Sequence, residues 1–591
     1  MWLIAVLTCC EMALGTLTPA LHLRQGRLRG WSTPNRESYY SIPYATAKRF
    51  QAAGPPPSWQ GVLLALTAGP ACAQALYPVT LGREDCLHLD VHVPRGTRAS
   101  VLRPVMVFLH GGAYYHGTKA HYGPAWLIRH GVVVVVPNYR LGALGFLCVD
   151  NVANLGLKDQ AAALRWIRDN IAFFGGDPDN VTLFGQSAGA SAVGLHMLSP
   201  MSAGLFHKAI LESGSPLAPW ALNPDPMTPA KRDVLKLGKD TDDPQEIVKT
   251  FSRASLEELL ASTWDTSIDT KYFKYSPCVE NASSTENPFL TAAPYDILMS
   301  SQFNKVPAII GFVDLEGLLF YGLHNERTLV EMEENFPQNL PAVFEQCSKR
   351  VKQNISSELY AHYFESRPLR ANAEGLVRYY SDWVALSSLP AYAALLARTS
   401  RRSVYSYVFS YEGNRNFAKW VFGRNVKMNG ATHSDDLFYI FQPLGLPLAL
   451  SSADQLFVDR FTSMWTNFAK TGDPTPETSE LIPMRWPVVP ADGQERMPTL
   501  RLGRRLKVTS VDARRAAPLW RRLLCAYGHR GSAEGCMLHV NACYNQPPTE
   551  QAIRSHGTPT LLLLSPVLVS PASGLESLYR HTPSTFPAPK F

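Results

Sequence analysis

The sequence predicts an α/β fold, a large mostly parallel sheet flanked by helices. Two observations carry this. Gly131 to Pro137 is β-branched throughout from Val132 to Val136 and bounded by breakers, as a strand buried on both faces should be. Short apolar runs of this kind then alternate with segments of helical periodicity, and such alternation implies parallel strands with helices on both faces.

Taken in order, Val105 to Leu109 is a short apolar strand ending in His110-Gly111-Gly112. After the valine strand, the segment from Gly156 to Phe174 places Leu157, Ala161, Leu164, Ile167, Ile171 and Phe174 at helical spacing. Gly175-Gly176-Asp177-Pro178 closes that helix, and Val181 to Phe184 starts another strand. A later helix runs from Ala453 to Thr471, with Ser451 or Ser452 as its cap. It turns Phe457, Phe461, Met464, Trp465 and Phe468 inward, and Gly472 and Pro474 end it. There is no internal repeat.

Composition excludes several classes. With 46% hydrophobic and 18% charged residues, the 591-residue chain is not intrinsically disordered. Its 40 Gly and 45 Pro follow no period, which excludes collagen-like and heptad-repeat architectures. Residues 501–527 hold eight Arg and Lys and one Asp, which accounts for the whole net charge of +7. A nucleic-acid protein would draw a basic face from the entire fold, so this class is excluded as well.

Residues 1–15 read as a secretory signal peptide. Trp2 to Cys9 is apolar and Ala13-Leu14-Gly15 supplies small residues at a cleavage site, although Glu11 interrupts the run and no basic segment precedes it. No other segment is long enough to span a bilayer; Thr560 to Val569 comes nearest and is broken by Pro566. The chain is therefore expected to be secreted. Residues 16–527 form the main domain. Residues 528–591, with eight prolines, read as a poorly ordered tail. Cys72 and Cys86, with turns between them, could close a small loop. Asn281 and Asn354 head sequons in polar surroundings, whereas the sequon at Asn180 leads into a strand. Cys525, Cys536, His539 and Cys543 lack the paired short spacings of a zinc knuckle, so no metal is expected.

The chemistry starts at Gly185-Gln186-Ser187-Ala188-Gly189, between the strand Val181 to Phe184 and a helical run from Ala190 to Leu198. A strand-to-helix turn sharp enough to expose a serine leaves no room for side chains two residues either side. At the start of a helix, Ser187 also sits where dipole and free amides favour developing negative charge. His110-Gly111-Gly112-Ala113, at the end of the earlier strand, fits an oxyanion loop whose remaining donor is the amide of Ala188.

With these motifs in place, the chain resembles the type-B carboxylesterases of the α/β-hydrolase superfamily, and among them the secreted arthropod esterases. Matching stretches run from Gln25-Gly26-Arg27-Leu28-Arg29-Gly30 to about Tyr527. They include Ser41-Ile42-Pro43-Tyr44-Ala45, Glu84-Asp85-Cys86-Leu87, Asn138-Tyr139-Arg140-Leu141 and Glu212-Ser213-Gly214-Ser215. The resemblance implies the α/β-hydrolase fold. It implies an acid at Glu316, in Asp314-Leu315-Glu316-Gly317 after the segment Val306 to Gly311, and a base at His433, in Gly430-Ala431-Thr432-His433-Ser434-Asp435-Asp436. It implies oxyanion donors at Gly112, Ala113 and Ala188, a disulfide between Cys72 and Cys86, and an acyl-pocket wall near Trp220, which could equally be a core aromatic. The chain departs from the family in a shortened insert, Thr46-Ala47-Lys48, and in Gln186, where glutamate is more frequent; insect juvenile hormone esterases share that detail.

The implied activity is hydrolysis of carboxylic esters through an acyl-enzyme, needing no cofactor and no partner beyond a small ester. The loop between Cys72 and Cys86 contains no tryptophan, and Arg83 in it would repel ammonium if it faced inward. Uncharged apolar esters are therefore expected over choline esters. A juvenile-hormone-esterase-like hydrolase is a narrower alternative. A non-catalytic adhesion or binding protein of this fold is the alternative from another class, but such relatives typically lose the serine, the histidine or the acid, and this chain keeps all three.

Overall fold

The computed structural model describes residues 15–527 apart from 77–78, 98–100, 265–273, 284–285, 346, 366, 424–425, 444–445, 447, 493–495 and 514–515. The signal-peptide reading, apart from Gly15, and the C-terminal tail lie outside the described residues.

Twelve strands form the main sheet. In chain order they are β1 (Thr16–Leu17), β2 (Trp31–Ser32), β3 (Arg36–Pro43), β4 (His88–Pro94), β5 (Arg103–Leu109) and β6 (Val133–Pro137). They continue as β7 (Gly176–Gln186), β8 (Lys208–Glu212), β9 (Ala308–Val313), β10 (Val404–Phe409), β11 (Arg496–Leu502) and β12 (Leu506–Asp512). Their spatial order is β1-β2-β3-β4-β6-β5-β7-β8-β9-β10-β11-β12. The block from β6 to β11 is parallel throughout, while β1 to β4 and β12 pair antiparallel at the two margins. The sheet is thus mixed. Parallel pairing is confined to the part covered by helices on both sides, where a parallel sheet must be buried.

Both faces of that block are core. Val105, Val107, Val133 and Val135 join one buried cluster, and the alternate residues Met106, Phe108, Val134 and Val136 join the other. Period-2 side chains with both faces buried leave no polar positions, which is why these strands read as unbroken apolar runs. Each such Val or Phe contributes about 1.5–3 kcal/mol of burial. Helices α1 (Leu155–Asn170) and α2 (Ala188–Leu198) supply Leu157, Leu164, Ile167 and Val193 to the first cluster. A long helix, Ser452–Thr471, covers the other with Phe457, Phe461, Trp465 and Phe468. Ser451 caps it in a reciprocal capping box with Asp454, and Gly472 ends it at φ +81°.

Two boundaries differ from the sequence reading. The helix after Leu155 stops at Asn170 and tightens into a 3₁₀ turn, Ile171–Phe174, before Gly175 reverses the chain at φ +75°. Strand β7 begins at Gly176, five residues before Val181. Gly176 pairs with Arg103 and Val181 with Val105, so the residues between bulge out of the ladder and need no apolar pattern.

Disulfides join Cys72 to Cys86 and Cys148 to Cys278. Cys347 and Cys525 are disulfide-bonded as well. Asn281 is exposed in a turn, whereas Asn354 is exposed on the helix Lys349–Phe364, with the hydroxyl of Ser356 buried.

Candidate active site

Ser187 stands between the end of β7 and the start of α2 with φ 58° and ψ −125°, a strained backbone that lifts its side chain out of the turn. The flanking glycines have steric reasons. A Cβ on Gly185 would lie 2.6 Å from the carbonyl carbon of Gly189, and one on Gly189 would lie 2.0 Å from the carbonyl oxygen of Leu109. The Ser187 amide donates to the carbonyl of Glu212 at 2.8 Å, tying the turn to β8.

The loop after β5 packs onto this turn. A Cβ on Gly111 would approach the Cβ of Ser187 to 3.0 Å. Gly112, Ala113 and Tyr114 all take positive φ, at 116°, 56° and 59°. The amides of Tyr115 and His116 both donate to the Gly112 carbonyl at 2.8 Å, closing the turn. Among the described residues, the amides of Gly112 and Ala113 have no acceptor, and that of Ala188 is one of the orphan donors of a helix start. Three free N–H groups thus belong to the segments that meet at Ser187.

Glu316 opens the short helix α3 (Glu316–Gly322) after β9, and His433 lies in a separate loop. The two loops are stitched together: Thr432 Oγ1 donates to the Leu315 carbonyl at 3.0 Å and accepts from the Leu319 amide, while Asp314 accepts from the Ala431 amide at 2.8 Å. His433 Nδ1 is consequently 2.5 Å from Glu316 Oε2, with both side chains buried. Glu316 Oε1 accepts from the Val313 amide. On the other side of the ring, Nε2 meets the carboxamide nitrogen of Gln186 at 3.2 Å. Glu316 and His433 are therefore brought together, and His433 reaches the residue next to Ser187. No hydrogen bond joins Ser187 Oγ to His433. Such bonds commonly tighten only when substrate is bound.

Some participants carry no sequence signal. Gln74, in the loop closed by Cys72 and Cys86, accepts from the Gly117 amide at 3.0 Å and donates to the Gly117 carbonyl at 2.9 Å. It pins the loop after β5 as a strand partner would. Behind the site lie two fully buried carboxyl groups. Burial and the Asp436 charge push Glu212 well up, and Glu212 accepts from the Trp465 indole at 2.7 Å. Burial, then the Glu316 charge, push Asp436 up to about 7. Both lie in stretches that match the family, Glu212-Ser213-Gly214-Ser215 and Gly430 to Asp436, but their burial together is visible only in the tertiary structure.

A cavity of about 620 Å³ opens beside these residues; Gln186 and Ser434, the chain neighbours of Ser187 and His433, line it. Gly112 and His116 line it from the loop after β5 and Gln186 from the serine turn, and Leu81, Phe438 and Phe441 add apolar surface. Trp220 is not among its lining residues. It is buried in the core, its indole donating to the Val384 carbonyl at 2.9 Å. Arg83 is exposed and does not line the cavity either. No cluster able to hold a metal ion occurs among the described residues.

A serine on a strained strand-to-helix turn, with free amides beside it and a buried carboxylate–imidazole pair across it, defines a hydrolase of the α/β type. Comparison with known proteins makes the class specific. The model of the carboxylesterase family matches residues 17–518. The chain is 32% identical to juvenile hormone esterase of Tribolium castaneum over 477 residues, covering 74% of this chain and 80% of that protein. It is 31% identical to a carboxylic ester hydrolase of Bombus ignitus over 485 residues, covering 77% and 86%. The crystal structure of juvenile hormone esterase from Manduca sexta, with OTFP covalently attached, superposes with a TM-score of 0.75 at 27% identity, covering 86% of this chain and 99% of that one. The chain belongs to the carboxylesterase family of the α/β-hydrolase superfamily and is a carboxylic ester hydrolase.

Proposed function

We propose that the chain hydrolyses uncharged, apolar esters with Ser187 as nucleophile, His433 as general base and Glu316 as the acid that orients it. The observation that carries this reading is the double engagement of His433. Its Nδ1 faces a buried carboxylate at 2.5 Å, which favours the proton there and leaves the Nε2 lone pair to face the carboxamide of Gln186, the residue next to Ser187. His433 takes the proton of Ser187 as the hydroxyl attacks the ester carbonyl, and Glu316 stabilises the imidazolium. The amides of Gly112, Ala113 and Ala188 hold the tetrahedral oxyanion. The imidazolium then protonates the leaving alcohol, and water attacks the acyl-enzyme by the same route.

The cavity supports this substrate class: among the described residues no carboxylate lines it, and Leu81, Phe438 and Phe441 give it apolar surface. A narrower reading, a hydrolase like juvenile hormone esterase, is favoured by the relatives of that name and by Gln186 beside the serine. Secretion is proposed from the N-terminal segment and the disulfides, which form in oxidising compartments. No helix among the described residues is long and apolar enough to cross a membrane. Asn281, exposed in a turn, is the favoured glycosylation site over the helical Asn354.

The test is p-nitrophenyl butyrate hydrolysis by the purified protein and its variants. Ser187→Ala should lower kcat by at least about 10⁴-fold and Glu316→Gln by about 10³–10⁴-fold, with a phosphonylating inhibitor labelling Ser187 alone. Full activity in Ser187→Ala would defeat the assignment.

A further inference from the structure

His116 is joined to the catalytic loop at every backbone point. Its amide donates to the Gly112 carbonyl at 2.8 Å, its own carbonyl lies where a Cβ on Gly112 would be 2.1 Å away, and the next residue, Gly117, is pinned by Gln74. Its ring is held edge-on between Tyr115, at 5.3 Å between centroids, and Trp264, at 5.9 Å. It lines the cavity with Gly112 and Gln186.

Two histidines line the cavity, His116 and His121, and of these His116 is the one whose backbone is bonded to the Gly112 turn beside Ser187. Histidines elsewhere in the fold bond to side chains: His92 to Ser38, His196 to Gln160 and Ser202, His324 to Thr328 and Tyr380. No hydrogen bond engages the ring of His116 among the described residues. Burial also lowers its pKa, so at neutral pH the ring is uncharged and offers one N–H and one lone pair. In a cavity where Leu81, Leu437, Phe438 and Phe441 supply the apolar lining beside a few polar side chains, such a group discriminates between ligands that satisfy it and ligands that do not.

We propose that His116 is a specificity residue, whose imidazole hydrogen-bonds an oxygen acceptor (ether, carbonyl or hydroxyl) on the arm of an uncharged ester that fills this cavity. The inference rests on the esterase reading above. It narrows the substrate class from apolar esters in general to apolar esters with a second oxygen function a few bonds from the scissile carbonyl. An alkyl ester of the same shape leaves the imidazole unpaired.

The test uses two isosteric pairs. Butyl butyrate against 2-methoxyethyl butyrate probes the alcohol arm, and butyl pentanoate against butyl 3-methoxypropanoate probes the acyl arm. Each ratio of kcat/KM is corrected for the intrinsic reactivity of the two esters. In the wild-type protein the ether should be preferred about 10-fold in one arm, which also identifies the arm. His116→Phe, which keeps an aromatic ring and removes both nitrogens, should bring that ratio to about 1, and His116→Asn should restore part of it. Because the readout is a ratio, a general loss of activity cancels. His116→Ala replaces His116→Phe in the comparison should the latter fail to fold. No ether preference in either arm of the wild type, or a preference unchanged in the variants, overturns the role of His116. Hydrolysis of none of the four esters by folded wild-type protein instead overturns the esterase reading itself.

Discussion

The carboxamide nitrogen of Gln186 lies 3.2 Å from Nε2 of His433, while the opposite ring nitrogen lies 2.5 Å from Glu316. A neutral amide can donate to the imidazole lone pair without favouring imidazolium. A carboxylate in that place would instead stabilise the protonated ring. Gln186→Glu should therefore raise the acid limb of the pH profile of kcat/KM by about 1 unit, with activity at pH 6 falling more than activity at pH 8. An unmoved acid limb would mean that residue 186 does not sense the charge on His433.

The grip of Gln74 on Gly117 yields a second expectation. Two hydrogen bonds, at 2.9 and 3.0 Å, connect the disulfide-closed loop to the segment proposed to carry the oxyanion donors. Gln74→Ala removes both and loosens a turn whose residues already hold positive φ. The expected result is a fall in kcat of about 10-fold with a smaller change in KM, since oxyanion contacts act chiefly in the transition state. Gln74→Glu should recover less than Gln74→Asn recovers at short reach, because only an amide can both donate and accept. A loss confined to KM would assign Gln74 to substrate binding instead.

How much of this is legible before folding depends on where the information resides. Val133–Pro137 and the segment Val105 to Leu109 announce themselves because burial on both faces removes every polar position. The serine turn is legible because glycine is compulsory where backbone passes within 2.6 Å. The short antiparallel strands Thr16–Leu17 and Trp31–Ser32 are not, since two residues carry no periodicity. Glu316 and His433 are separated by 117 positions and became visible only through resemblance to a family, because loop-to-loop stitching by Thr432 and Asp314 leaves no local pattern. Gln74, Glu212 and Asp436 owe their roles wholly to tertiary contacts.

Asp436 gives a prediction about stability. Its carboxyl is fully buried and pushed up to about 7, from an ordinary value of 3.8, by burial and by the Glu316 charge; the neighbouring Asp435 charge adds to this and His433 opposes it. Below about pH 4 the group is protonated in both folded and unfolded chains and has no effect. Between about 4 and 7 the unfolded chain releases the proton while the folded protein retains it, so stability falls with rising pH by about 1.4 kcal/mol per unit at most and levels off above 7. Asp436→Asn keeps the acceptor for the Leu437 amide and removes the titration. The variant's advantage in Tm over the wild type should grow between pH 5 and pH 7.5. An advantage constant across that range would show that Asp436 does not retain its proton in the folded state.

The last prediction concerns cationic substrates. An apolar cavity accepts a quaternary ammonium when a large aromatic face, tryptophan above all, replaces its hydration, and a nearby carboxylate adds to the attraction. Among the described residues, the cavity beside the serine turn has Phe438, Phe441 and Tyr122 as aromatic lining, no tryptophan and no carboxylate, and its polar side chains include Gln74, Gln186, His116 and His121. Phenylalanine faces attract a cation less than an indole does, and the neutral amides return little of the cation's desolvation cost. Butyrylcholine should accordingly be hydrolysed with a kcat/KM at least about 10-fold below that of 3,3-dimethylbutyl butyrate, its uncharged isostere, which corresponds to a deficit of about 1–2 kcal/mol. Gln186→Glu should narrow the gap by placing a carboxylate on the cavity wall, and an effect on choline esters alone would separate this contact from the shift in the acid limb. Equal efficiency for the two esters in the wild type would overturn the assignment to uncharged substrates.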